Sequence, residues 1–250
     1  MITGQQTQRR RPLTAQLAQF FFPQRHCQLC GALSGDLGLC AACAAYTCAL
    51  PRCEICAAFV QTPGLCSQCT AARPQFTQAA AAAPYGARLR ESLLAFKYQE
   101  KTWLRRPLAA MLAQACEHHY PDISFSAVTP TPLAPAKLKE RGYNQSELLS
   151  KLLAAEFGFT HRPDLLKRVL DTPPLADLDG PARRLMLKGA FAAAPAQGQT
   201  VLLVDDIYTS GATINTCAIE LLTAGAQAVY GLTVAAYEDR GYLSSGALRG

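Results

Sequence analysis

The segment VLLVDDIYTSGAT, residues 201–213, joins an apolar run, two adjacent acids and a hydroxyl-rich turn that contains glycine. Residues 201–204 are uninterruptedly apolar, which is typical of a strand covered on both faces in a parallel sheet. Ligands bind at the carboxyl ends of such strands, and Asp205 and Asp206 follow there. Their carboxylates can accept hydrogen bonds from neighbouring hydroxyls of a sugar.

The residues after the acids predict a turn into a helix that begins near Ala212. Backbone N–H groups and side-chain hydroxyls then converge on one point, where a phosphate can bind. The alternative is a Ser/Thr-capped helix after a buried strand, with the acids merely solvated. Two adjacent acids followed by this turn favour a phosphosugar site, whose predicted phosphate-binding residues are Thr209, Ser210, Gly211, Ala212 and Thr213.

This segment resembles the binding loop of type I phosphoribosyltransferases, which holds 5-phosphoribosyl 1-pyrophosphate (PRPP). The resemblance implies that Asp205 and Asp206 contact the ribose 2′ and 3′ hydroxyls, and that residues 209–213 hold the 5′-phosphate. It also implies Mg²⁺, bound through oxygens of PRPP. Purine-salvage members tend to carry an acid where Thr209 stands, so transfer to hypoxanthine or guanine is not expected.

Eight of the eleven cysteines form an internal repeat of CxxC-x9-CxxC, displaced by 26 residues. Each CxxC directs two thiolates at one ion, and two of them complete the tetrahedron of a structural zinc site. We therefore expect two zinc ions. An iron–sulfur cluster, disulfides and free thiols are less favoured alternatives. The predicted ligands are Cys27, Cys30, Cys40, Cys43, Cys53, Cys56, Cys66 and Cys69.

The pairing of these cysteine motifs stays open at the level of sequence. One zinc ion per repeat is favoured over a crossed arrangement that takes one CxxC from each repeat. Cys48, Cys116 and Cys217 lie outside the pattern and are expected to be ordinary small residues.

The composition allows a sizeable core, because half of the 250 residues are hydrophobic. The formal net charge is +6, of which +4 falls in residues 1–79. Two ions each held by four thiolates would remove about four charges from that segment, so net charge alone does not predict nucleic-acid binding. No apolar stretch approaches the roughly 20 residues needed to span a bilayer, and we expect a cytoplasmic protein without a membrane span.

The chain divides into four predicted parts. Residues 1–26 form an N-terminal segment with a short amphipathic helix at 13–22, and residues 27–72 form a double zinc ribbon. A phosphoribosyltransferase domain follows at 80–240, with a C-terminal tail at 241–250. The alanine run 79–83 is either the first strand of that domain or a tether. Residues 165–170 are expected to be an extended edge segment, and 147–157 an amphipathic helix.

A basic cluster follows the short strand predicted at 126–129. Lys137, Lys139 and Arg141 are three basic groups within five residues. PRPP carries a pyrophosphate, which needs a second anion site, and this segment is the natural candidate. The alternative is a solvated charged run between elements.

An ordered set of motifs narrows the resemblance to the ComF/GntX family over roughly residues 13–237. The set comprises the Phe-Phe-Pro of 21–23, the double CxxC ribbon, Ala-Phe-Lys-Tyr at 95–98, Pro-x-Pro-Leu, Arg-Gly-Tyr-Asn-Gln at 141–145, Gly-Ala-Phe at 189–191 and the PRPP loop. The resemblance implies an α/β fold of the type I phosphoribosyltransferase kind, a mostly parallel sheet flanked by helices, with an N-terminal double zinc ribbon. It also implies a role in DNA uptake during natural transformation, or in using DNA as a nutrient.

Two departures from the family pattern concern the acceptor, the molecule to which a phosphoribosyl group would be transferred. Leu175 stands where the family commonly has glutamine, and Met186 where it has asparagine. Both replacements are polar to apolar, so the acceptor is not predicted.

Two hypotheses follow. In the first, the chain is a phosphoribosyltransferase with Lys97, Lys137 and Arg141 as candidate catalytic residues that stabilise the departing pyrophosphate. In the second, it is a non-catalytic adaptor that holds single-stranded DNA and contacts DNA-uptake proteins, with bases stacking on Tyr98, Trp103 or Tyr143. Trp103, at helical spacing, is more often a core residue.

Overall fold

A computed structural model describes residues 25–170 and 185–239. The predicted amphipathic helix at 13–22, the Thr-Pro-Pro-Leu segment at 172–175 and the predicted tail at 241–250 lie outside the described residues. The elements, in chain order, are α1 Ala41–Ala49, α2 Ser67–Ala71, β1 Gln78–Pro84, α3 Ala87–Tyr98, a 3₁₀ turn Thr102–Leu104, α4 Arg105–His119, β2 Ala127–Pro130, α5 Pro135–Arg141, α6 Gln145–Phe157, β3 Leu166–Arg168, β4 Phe191–Ala193, β5 Thr200–Tyr208, α7 Ala212–Thr223 and β6 Ala228–Ala236.

Four parallel strands form the central sheet, in the order β1-β6-β5-β2. Successive side chains of each strand point to opposite faces, and both faces are buried. One face packs with α7 around residues such as Val201 and Leu203. The other packs with α3, α4 and α6 around Leu202 and Val204. The predicted parallel sheet flanked by helices is confirmed.

The alanine run is a strand, β1, at one edge of the sheet. Its outer edge is paired with the cysteine-rich segment: Ala79 N donates to Ile55 O at 2.8 Å, and Arg52 Nη1 donates to Ala81 O at 2.5 Å. An unpaired sheet edge would leave backbone groups open to other chains. The cysteine-rich segment therefore covers this edge.

The two cysteine repeats pack on opposite faces of the sheet. Cys27 and Leu39 of the first repeat belong to the core on the α4 side. The four cysteines of the second repeat belong to the core on the α7 side. The ribbon thus straddles the β1 edge and is continuous with both layers of the core.

The predicted edge segment at 165–170 is extended, but it does not extend the central sheet. Leu166–Arg168 pairs antiparallel with Phe191–Ala193 in a separate two-stranded sheet. No helix among the described residues is long and apolar enough to cross a bilayer.

Candidate functional site

A polar cleft opens at the carboxyl ends of β2 and β5. The predicted residues Asp205, Asp206 and Thr213 line it from the β5–α7 side. Further lining residues come from α3, the β2–α5 connection, α5, α6 and β3, and are Lys97, Tyr98, Thr131, Pro132, Leu133, Lys137, Arg141, Asn144, Gln145, Ser146 and Arg168. All three candidate catalytic residues are thus gathered with the two acids.

The two acids do not end the strand, because β5 continues to Tyr208. They lie beyond the last residue that pairs with β2, since Pro130 is opposite Val204. Their side chains therefore reach into the space that opens where β2 has stopped. β6 continues to pair with β5 as far as Tyr208, so the strand runs two residues past the acid pair.

Asp205 is held by three hydrogen bonds to a single oxygen. Its Oδ1 accepts from Thr131 Oγ1 at 2.7 Å, from Ser146 Oγ at 2.9 Å and from the Asp206 backbone N–H at 2.9 Å. Burial and the neighbouring charge of Asp206 raise the pKa of Asp205 to about 6, against the lowering effect of Thr131. The fixed Oδ1 leaves Oδ2 as the oxygen that no described side chain anchors.

Asp206 forms an ion pair with Lys97, whose Nζ lies 2.8 Å from Asp206 Oδ2. Both side chains are largely shielded from solvent, with 21% and 10% of their surfaces exposed. Burial alone would lower the pKa of Lys97, but the attraction of Asp206 and then of Asp205 outweighs it and raises that pKa. Lys97 therefore carries a positive charge that neutralises part of the acid pair.

The turn after β5 has the geometry of an anion site. Gly211 has φ 70° and is the residue before α7, in the left-handed region that favours glycine. The first backbone N–H groups of a helix have no partner within the helix. The Ser210 hydroxyl oxygen is buried and has no hydrogen-bond partner. An orphaned buried hydroxyl beside open N–H groups fits a phosphate.

The basic cluster lies on the short helix α5. Lys137 and Arg141 are one helical turn apart and both line the cleft, whereas Lys139 does not. This follows from the helical period, since residues four apart share a face and a residue two positions away does not. The Arg141 guanidinium also lies 5.2 Å from the centre of the exposed Tyr98 ring.

The sequence analysis did not name Thr131, Ser146 or Arg168 as site residues, and it had Asn144 only as part of the Arg-Gly-Tyr-Asn-Gln motif. The Asn144 side chain caps α6, accepting from Ser146 N at 3.0 Å and donating to Thr131 O at 2.9 Å. An Asn-x-Ser pattern before an amphipathic run is a helix-start signal and could have placed Asn144. No local signal in the sequence points to the other three.

The cysteines form two clusters, one per repeat, and the ligand atoms of each lie within 4.8 Å of one another. The sequential pairing is therefore confirmed for the cysteine groups. The separation is 3.9 Å between Cys30 Sγ and Cys40 Sγ, and 3.6 Å between Cys56 Sγ and Cys66 Sγ. Zinc bound to four sulfurs at about 2.3 Å requires edges of about 3.8 Å. These donor sets fit structural zinc.

The second cluster is the more enclosed. All four of its cysteines are buried, whereas Cys30 of the first cluster is exposed. Backbone N–H groups point at the sulfurs in both: Cys40 N lies 3.4 Å from Cys27 Sγ, and Cys66 N lies 3.4 Å from Cys53 Sγ. The same contact at the same place in both repeats is the structural counterpart of the sequence repeat.

The sequence of the chain is similar to those of two competence proteins. The chain is 34% identical to Competence protein F of Haemophilus influenzae over 127 residues, which are 48% of this chain and 56% of that protein. It is 28% identical to Competence protein ComFC of Bacillus subtilis over 143 residues, 56% of each chain. Over about half of its length, the chain is therefore similar in sequence to ComF competence proteins. The resemblance to the ComF/GntX family predicted from the motifs is thereby confirmed.

A third curated relative matches a shorter part of the chain. The DNA utilization protein YhgH of Salmonella typhi is 35% identical over 103 residues, 41% of this chain and 45% of that protein. The chain thus spans about half the length of the curated relatives it matches. No family model matches.

Among solved structures, an adenine phosphoribosyltransferase has a TM-score of 0.36 at 13% identity, over 56% of this chain and 82% of that chain. A glutamine PRPP amidotransferase from B. subtilis has a TM-score of 0.34 at 21% identity, over 50% and 25%. Likeness at this level carries no argument about the site.

Proposed function

We propose that the cleft binds PRPP together with Mg²⁺ and that the chain serves DNA uptake or utilization, as the names of its ComF relatives suggest. One observation carries the PRPP proposal: Asp205, Asp206 and Thr213, which follows the glycine turn, line the same cleft as the basic Lys137 and Arg141. The glycine turn matches the phosphate of PRPP, the acid pair matches its diol, and the two basic side chains match its pyrophosphate.

In the proposed complex, the turn at 209–213 holds the 5′-phosphate on the N–H groups at the start of α7 and on the Ser210 hydroxyl. Asp205 and Asp206 accept hydrogen bonds from the ribose hydroxyls. Lys137 and Arg141 receive the pyrophosphate, because an anion needs cationic donors in a cleft that excludes part of the water.

Mg²⁺ prefers oxygen ligands and binds through few carboxylates together with phosphates, so a cleft with two carboxylates fits it. When bound, it would neutralise charge on the pyrophosphate oxygens. The residues of the chain supply the positions: Lys97 keeps Asp206 in place through the 2.8 Å ion pair, and Thr131 and Ser146 fix the orientation of Asp205. No acceptor is assigned, since Met186 stands where the family has asparagine.

Calorimetry with partial ligands tests this assignment. PRPP with Mg²⁺, ribose 5-phosphate and pyrophosphate are titrated separately into wild-type protein and Arg141→Gln. We expect the variant to lose about tenfold in affinity for PRPP and pyrophosphate, about the contribution of one charged hydrogen bond, and to keep its affinity for ribose 5-phosphate.

Lys139→Gln is the matched control, because Lys139 is on the same helix but outside the cleft. It should bind all three ligands as the wild type does. Absence of PRPP binding by the wild-type protein, or equal losses in the two variants, would refute the assignment.

A second function, single-stranded DNA binding, is favoured by two exposed aromatic rings, of which that of Tyr98 lines the cleft. Tyr98 and Trp103 are 70% and 64% exposed, and Lys101 and Arg106 are exposed nearby. The expectation that Trp103 is a core residue was wrong. Bases stack on such rings while cations contact the backbone phosphates.

Gel shifts with single-stranded DNA over a salt series test this second function. We expect Trp103→Ala to weaken binding by about 1–3 kcal/mol, and Tyr46→Ala, which alters an exposed ring of the ribbon, to leave it unchanged. If Tyr46→Ala weakened binding and Trp103→Ala did not, the DNA site would lie on the ribbon. No binding at low salt would remove this function.

A further inference from the structure

Tyr208 touches both the phosphate-binding turn and the second cysteine cluster. It is the last residue of β5, and its side chain is buried. A Cβ atom on Gly211 would lie 2.1 Å from the Tyr208 hydroxyl oxygen, so this hydroxyl packs directly against the glycine of the turn. Burial and, after it, the neighbouring Cys56 thiol raise the pKa of this hydroxyl, so the thiol lies close to the tyrosine side chain.

Further contacts join the same two regions. The Phe76 ring, between the ribbon and β1, meets the Tyr208 ring edge-on at 6.5 Å. The neighbouring Gln75 donates its backbone N–H to Asn215 Oδ1 at 2.6 Å, in the first turn of α7. Ala212 shares one core cluster with Tyr208 and all four cysteines of the second repeat. The second repeat therefore packs in the same core cluster as the residues on either side of the turn.

We propose that Tyr208 is a positioning residue through which the second cysteine cluster, when it holds zinc, fixes residues 209–213 in their anion-binding conformation. The proposal rests on the function proposed above for the turn. A zinc-bound thiolate is a stronger hydrogen-bond acceptor than a thiol, so zinc strengthens the contact with the tyrosine hydroxyl. It also immobilises Cys56 itself.

Fixing the turn in advance matters for affinity. A loop that is ordered only on binding loses conformational entropy at that moment, whereas a loop already held does not. The turn contains a glycine at φ 70°, a residue with more backbone freedom than any other. Contact with a rigid hydroxyl limits that freedom. The second zinc site then contributes to ligand binding as well as to folding.

The first cysteine cluster does not pack in the core cluster that contains Tyr208. Its Cys27 packs into the core on the opposite face of the sheet, with α3 and α4. The two zinc sites, alike in sequence, are therefore expected to differ in their effect on the turn.

Hydrogen exchange of the backbone amides at 209–213, measured without ligand in the zinc-loaded protein, tests the proposal. The test variant is Tyr208→Phe, which removes only the hydroxyl. We expect it to keep two zinc ions per chain and to exchange about fivefold faster at 209–213, as the loss of one hydrogen bond predicts. PRPP affinity should fall by about the same factor, while exchange in β2 stays unchanged.

Tyr230→Phe is the matched control, because Tyr230 packs with Tyr120 and Phe125 on the other face of the sheet. It should behave as the wild type does. Removing zinc with a chelator should accelerate exchange at 209–213 in the wild type, with little further change in Tyr208→Phe.

Unchanged exchange at 209–213 in zinc-loaded Tyr208→Phe overturns the proposal, as does acceleration spread evenly over the chain. Because exchange is measured without ligand, it tests the anchor even in a protein that binds no PRPP. Failure of PRPP binding would instead refute the proposed function of the turn.

Discussion

Replacing Asp205 with asparagine should stabilise the protein at neutral pH and impair the proposed binding of PRPP. Asparagine has nearly the same shape, and its Oδ1 can accept the same hydrogen bonds from Thr131, Ser146 and the Asp206 N–H. The variant lacks only the buried negative charge. The native carboxylate costs stability and is kept, in this interpretation, because a ribose hydroxyl needs it as an acceptor.

The magnitude follows from the pKa of Asp205, which is about 6 in the folded protein against a reference value of 3.8. Each pKa unit corresponds to about 1.4 kcal/mol. Because the folded state holds this proton to a higher pH, it binds more protons between pH 4 and 6, and stability falls as the pH rises through that window. The ionised group therefore costs about 3 kcal/mol at pH 7 and about half of that at pH 5.

Urea unfolding at pH 5, 6, 7 and 8, with zinc present throughout, measures this effect. The quantity of interest is the free energy of unfolding of Asp205→Asn minus that of the wild type. It should grow by about 1.3 kcal/mol from pH 5 to pH 7 and then level off. Effects shared by both proteins, such as changes in zinc affinity with pH, cancel in this difference.

Asp122→Asn is the control, because Asp122 is exposed, and its difference from wild type should not change over this range. A constant difference between Asp205→Asn and the wild type would show that the Asp205 carboxyl is ionised at pH 5 as at pH 7. The assigned burial and charge effects would then be wrong.

Three further predictions concern the ion pair, the zinc clusters and the turn. Lys97→Met leaves Asp206 without its ion-pair partner, so urea unfolding at pH 7 should show a loss of about 2–3 kcal/mol; an unchanged midpoint would contradict the pairing. Cys56→Ser and Cys30→Ser should each reduce bound zinc from about two ions to one, with the larger fall in Tm for Cys56→Ser because its cluster is buried; equal falls would contradict the difference in enclosure. Gly211→Ala combines a φ of 70° with a collision against the tyrosine hydroxyl and should cost about 2 kcal/mol or more, measured by thermal unfolding; a smaller cost would mean that the turn adapts.

The strand–turn–helix unit at 200–223 could be predicted because its signals are local. A buried strand, a glycine turn and a helix start each leave a pattern within a few residues. The cysteine clusters were predictable for the same reason, since each is built from two CxxC motifs only 13 residues apart, from Cys27 to Cys40 and from Cys53 to Cys66.

The contact between Lys97 and Asp206 could not be predicted in this way. It joins residues more than a hundred positions apart, and nothing near Lys97 indicates its partner. The prediction that Trp103 is a core residue was wrong for a different reason. The chain forms a 3₁₀ turn at Thr102–Leu104, and three residues per turn instead of 3.6 shift the side chains off the helical periodicity that had suggested a core residue.

The position of the ribbon explains a feature of the sequence that composition alone leaves unexplained. Alanine is a poor strand former, yet five alanines form the interior of β1. This strand is an edge of the sheet, and the ribbon contacts its free backbone groups directly through Ile55 and Arg52. Small side chains let the ribbon come close, and all five alanines are buried. The alanine run is therefore suited to docking the ribbon, which supplies the apolar cover that larger strand side chains would otherwise provide. Without the ribbon, β1 would expose both its edge and a weakly apolar surface, so the cysteine-rich segment and the sheet depend on one another for burial.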